Sequence, residues 1–125
     1  MSIKEKLSAL GLTLPTAAAP VAAYVPAVKS GKLIFTAGQL PVVDGKLVKE
    51  GKVGSDVTAE DAKELAQICA LNALAAISLV ADLDQVERVV RVGGFVNCAP
   101  GFIAIPGVVI LRVARAYFVG RSLTR

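Results

Sequence analysis

The chain has no histidine and only two cysteines, Cys69 and Cys98, among its 125 residues. Without an imidazole there is no His-based catalytic triad, and without further ligands at metal spacing there is no zinc site. Aromatic residues are 5% of the sequence and hydrophobic residues 54%, so the core has to be built from Ala, Val, Leu and Ile. That composition is too apolar for a disordered chain, and the length suits one domain over residues 1–125. Scarce rings also leave little for stacking on bases. The basic excess, 14 Lys+Arg against 10 Asp+Glu, is spread along the chain rather than gathered on one element, so nucleic acid is not an expected partner.

Clean spanning or export segments are missing too. The start, MSIKEKLSALGLTLPTAAA, places Lys4 and Lys6 before an apolar stretch, but Ser8, Gly11, Thr13 and Pro15 spoil its core as a signal peptide. Of three long uncharged runs, 7–28 is broken by Pro15, Pro20 and Pro26, and 92–111 by Gly and Pro. The third, 65–81, reads as a buried helix. The expectation is a cytoplasmic protein with no membrane contact.

Turn chemistry organises what is present. A short helix over Ile3 to Leu10 is stopped by Gly11. In YVPAVKSGKLIFTAG, residues 24–38, two strand-like runs flank Ser30-Gly31, a hairpin signal. Leu33, Phe35 and Ala37 share one face of the second run and Ile34 and Thr36 the other, which predicts a strand covered on both sides. PVVDGKLV, residues 41–48, carries Asp44-Gly45 between apolar pairs and predicts a small type I′ hairpin.

Thr58, with Asp61 three residues on, predicts the start of a helix over Ala59 to Ala81 with Glu60, Asp61 and Glu64 in its early turns. From Leu65 this helix is apolar nearly all round, so its second flank should meet another helix or another subunit. Cys69 falls inside that run and reads as packing. The stretch 86–96 is Val-rich and predicts a strand, with Gly93-Gly94 permitting a bulge. Cys98 follows at a strand-to-loop junction, where a reactive thiol is conceivable. The order of elements is that of an α/β domain in which helix packs on a mostly mixed sheet.

Residues 19–54, together with AQICALNALAAI and VVRVGGFVNCAPGF, resemble the YjgF/RidA family, also known as L-PSP endoribonucleases, and within it the endoribonuclease-like branch. The match runs in order from Pro15 to Phe102. The resemblance implies a chorismate-mutase-like α/β fold, a mixed sheet backed by helices, assembled as a homotrimer with small-molecule pockets between subunits. It also implies a hydrolase of the enamine or imine deaminase kind that needs no cofactor and no metal. Tyr24 matches the family's Tyr in its N-terminal segment and Gly38 the Gly of its SGQIP segment, here AGQLP, so both are implied substrate-binding residues. The family's Ser is Ala37 here, the position of its second-helix Asn falls near Ile110, and its Arg–Glu clamp has no equivalent. Each has a plainer reading as well: Tyr24 as rim packing, Gly38 as a turn requirement.

Residues 103–125 diverge, and three readings of them stay open. A second helix over Gly107 to Val119 would put Leu111, Ala114 and Phe118 on one side and Arg112 and Arg115 near the other. A strand fits Val108–Ile110 locally. In a shifted reading frame, codon degeneracy from Ala116 to Leu123 permits Leu-Leu-Arg-Arg-Glu-Val-Phe, close to the family's second helix. Arg121 follows Phe102 too soon to stand for the family's clamp and reads as a solvated arginine. On these grounds catalysis should be weak or absent. Besides the deaminase, a non-catalytic small-molecule-binding or interaction trimer and an endoribonuclease or translation inhibitor remain as alternatives.

Overall fold

A computed structural model of the chain describes residues 2–20 and 22–109. Its first element, α1 (Ile3–Ala9), starts in a capping box: the Ser2 hydroxyl accepts from the Glu5 amide and the Glu5 carboxylate accepts from the Ser2 amide. The bond from the Ser2 backbone amide, and after it the Ser2 side chain, hold the Glu5 carboxyl below its ordinary range. Gly11 ends the element with φ +71°, a conformation that favours glycine. Seven residues are too few for an independent helix, so α1 depends on tertiary anchors. Leu7 is inserted against Ala70 and Leu74, and the Ile3 amide donates to Asp84 Oδ1 at 2.7 Å.

Two antiparallel hairpins follow. β1 (Ala27–Ser30) pairs with β2 (Leu33–Thr36), Val28 opposite Phe35 and Ser30 opposite Leu33. The connection is therefore Gly31-Lys32, one residue later than Ser30-Gly31, with positive φ at Gly31 in the first central position as a type II′ turn requires. β3 (Val42–Val43) pairs with β4 (Lys46–Leu47) across Asp44-Gly45, where φ is +50° and +78°. Both values are positive, as the type I′ expectation demands.

Thr58 caps α2 (Ala59–Ile77), its hydroxyl accepting from the Asp61 amide at 3.1 Å. The helix stops four residues short of Ala81, at Ser78, whose hydroxyl turns back to the Ala75 carbonyl at 2.6 Å. Residues 72–76 are buried all round. The expected second flank is met within the chain by α1, by Leu83, and by Val109. A second cluster, Val53, Val57, Ala62 and Val108 with Phe102 beside it, closes the start of α2.

The strand expected over 86–96 does not form among the described residues. After a 3-10 turn (Leu83–Gln85) this stretch has no ladder partner, and only at its end does Cys98 bridge Val53. Valine-rich sequence satisfies a pleated surface only when a neighbour supplies the hydrogen bonds. Accordingly the described residues contain two separate two-stranded sheets in place of one mixed sheet. Residues 105–109 are helical, so the strand reading fails at Val108 and Val109. The rest of the tail, with Ile110, Arg112, Arg115, Arg121 and the shifted-frame stretch, lies outside the described residues.

Candidate functional site

Tyr24 and Gly38 lie at the same end of the first hairpin, away from its Gly31 turn. The ladder ends at Ala27 opposite Thr36, and one more bond, from the Ala37 amide to the Pro26 carbonyl at 2.9 Å, carries the pairing outward. Tyr24 stands two residues before Pro26 and Gly38 one after Ala37. Both are exposed, Tyr24 to 43%. Gly38 has no left-handed φ, and a Cβ placed on it would meet nothing within 4 Å. A turn requirement therefore does not explain this glycine: neither backbone strain nor packing among the described residues demands it.

Beyond Gly38 the chain is held from below by a polar residue in the largely apolar run of α2. Asn72, 5% exposed on α2, donates from its amide nitrogen to the carbonyls of Leu40 at 3.1 Å and Val42 at 3.0 Å. Between these two lies Pro41, whose own carbonyl accepts from the Val48 amide at 3.0 Å, while the Val42 amide donates to Leu40 at 2.8 Å. Three successive carbonyls are thus paired, and the Gln39 side chain donates back to the Ala37 carbonyl at 3.2 Å. The only sequence signal was a carboxamide where every helical neighbour is apolar; its partners are 30 and 32 residues away.

The hairpin presents two unlike faces. Ala27 is buried and Ile34 half-buried on the side toward α2, whereas Val28, Leu33 and Phe35 point away and are exposed. Coverage on both sides is not achieved among the described residues. Phe95 is 102% exposed, and Val90, Val92 and Ile103 are exposed as well. Such apolar area is uncommon on a surface facing only water.

Lys49, Asp61 and Asp56 are committed elsewhere. Lys49 donates to Asp61 at 2.7 Å and keeps that carboxyl below its usual range. Asp56 is lowered chiefly by the Lys52 amide, and then by the Ser55 hydroxyl, inside the loop that precedes α2. Burial pushes the Cys69 thiol up to about 11, in keeping with a packing role. Cys98 sits half-buried beside Val53 and Phe102. No helix among the described residues is long and apolar enough to cross a membrane.

The family described as "YjgF/chorismate mutase-like, putative endoribonuclease" matches residues 4–111. The chain belongs to that family, and its architecture is the family's α/β, chorismate-mutase-like fold. A crystal structure from Shewanella oneidensis MR-1, described as a "putative endoribonuclease", superposes with a TM-score of 0.87 at 28% identity, over 97% of this chain and 83% of that one. A protein of unknown function from Agrobacterium tumefaciens gives 0.77 at 37% identity, over 91% and 69% of the two chains. Protein TCP17 of Trypanosoma cruzi is 38% identical over 101 residues, 80% of this chain; the match spans 63% of that relative's length.

Proposed function

We propose that the Tyr24–Gly38 end of the hairpin binds a small 2-imino acid, and that the chain is a weakly active hydrolase of the enamine/imine deaminase type. The observation that carries this reading is Gly38, exposed, unstrained and with open space where a side chain would stand. A bare backbone of that kind lets a small planar substrate lie against peptide groups. Tyr24 supplies a ring edge and a hydroxyl at the same end.

The reaction needs little of the protein. An enamine such as 2-aminoacrylate tautomerises to 2-iminopropanoate; water adds to the C=N carbon, and the resulting carbinolamine expels ammonia as its hydroxyl proton leaves, giving pyruvate. No electrons are exchanged with a cofactor. Positioning the imine and a water accelerates the addition, while a cation on the carboxylate would add most of the remainder. Ala37 stands where the resemblance expects a serine, so one polar group for holding a water is replaced by a methyl, which is why the expected rate is low. The exposed apolar face of β1–β2 and Phe95 supports assembly as a homotrimer with the site in the cleft between subunits. A cytoplasmic setting suits intermediates released by pyridoxal-phosphate enzymes.

Ala37, where the resemblance expects a serine, favours a second reading, a trimer that binds the small molecule without turning it over. The endoribonuclease description attached to the Shewanella structure has less support in this chain, which has no histidine for general acid–base work. One experiment separates the readings: pyruvate release from freshly generated 2-aminoacrylate, with pyruvate binding measured in parallel. A small acceleration over buffer is expected. Binding at the buffer rate selects the non-catalytic trimer, and neither binding nor acceleration defeats the proposal.

A further inference from the structure

We infer that Asn72 is a positioning residue that sets the height and angle at which Gly38–Val42 is presented to a ligand. The inference rests on the reading of the Tyr24–Gly38 end as a ligand site. Its structural basis stands apart from that reading: one buried carboxamide bridges the carbonyls either side of Pro41. A carboxamide nitrogen carries two hydrogens, and here each finds a carbonyl. Pro41 can give no amide of its own, so the segment has fewer backbone donors with which to fix itself.

Two hydrogen bonds from one side chain of α2 tie this segment to the helix. β3 and β4 are two residues each, too short to hold their approach rigidly. The helix does hold still, because residues 72–76 are buried on every side. Asn72 therefore transfers the rigidity of α2 to a surface segment that lacks it, which is how a binding loop gains preorganisation.

The test uses the full chain with pyruvate as probe, in the wild type, Asn72→Leu and Asn72→Gln. Nuclear magnetic resonance follows the Leu40 and Val42 carbonyl carbons, hydrogen exchange follows the Val48 amide against the Ala73–Ile77 amides, and a titration gives pyruvate affinity. Asn72→Leu should shift both carbonyl resonances, speed Val48 exchange about tenfold with the helix amides unchanged, and weaken pyruvate binding about tenfold. Asn72→Gln, which keeps both donors, should recover most of each effect. Wild-type carbonyl shifts, exchange and affinity in Asn72→Leu would overturn the inference, as would helix amides accelerating in step with Val48. Should the wild type bind no pyruvate, the ligand-site reading falls, and the resonance and exchange measurements still decide whether Asn72 holds the segment.

Discussion

Replacing Gly38 with alanine separates a glycine kept for a ligand from one kept for the chain. The φ angle at this position is not left-handed, and the added methyl meets no atom within 4 Å. Among the described residues, strain and clash therefore contribute nothing. What remains is the loss of glycine's freedom in the unfolded state, which stabilises a protein by about 0.4–1 kcal/mol where the native backbone suits alanine. Folding stability should rise slightly or stay level. Pyruvate affinity should move the other way, because the methyl occupies the space in which the probe would lie against the backbone; a tenfold loss corresponds to about 1.4 kcal/mol. Urea denaturation at fixed protein concentration gives the first quantity and a binding titration the second. A stability loss above about 1 kcal/mol would restore the turn explanation. Unchanged affinity with unchanged stability would remove Gly38 from the site.

Two further outcomes follow from the packing. Leu7→Ala should cost about 2–4 kcal/mol in urea denaturation, the burial of three carbons plus a partly collapsed cavity, because Leu7 is 1% exposed against Ala70 and Leu74; a cost under about 0.5 kcal/mol would mean that α1 is not anchored there. The Cys69 thiol, raised to about 11 by burial, should resist iodoacetamide at pH 8 in the native protein and react once unfolded. Its linkage leaves stability flat below the ordinary thiol range and lowers it as pH climbs from there toward 11, so rapid native alkylation at pH 8 would contradict the burial.

Local chemistry made some elements readable. Asp44-Gly45 specifies a type I′ turn by the two residues themselves, and Thr58 marks a helix start through its own hydroxyl. Register is a longer-range property: Gly31 was identifiable as a turn residue, but whether it is first or second in the turn depends on which residues of β1 and β2 face each other. Residues 86–96 show the limit from the other side. Their valines favour a strand, yet a strand exists only with a partner, and none pairs along it among the described residues. Asn72 was hidden for the same reason, since a carboxamide in an apolar helix announces a buried bond without saying to what. Tyr24 and Gly38 were found through resemblance; the residues alone offered equally good packing and turn explanations.

The central claim is that a small 2-oxo or 2-imino acid binds at the end of the first hairpin that carries Tyr24 and Gly38. The most direct measurement is a pyruvate titration of the labelled protein followed by amide resonances. The account predicts saturable shifts centred on Tyr24, Gly38 and Gln39, with the Gly31 turn and α1 unmoved. Shifts that are absent, or that centre elsewhere on the chain, would contradict it.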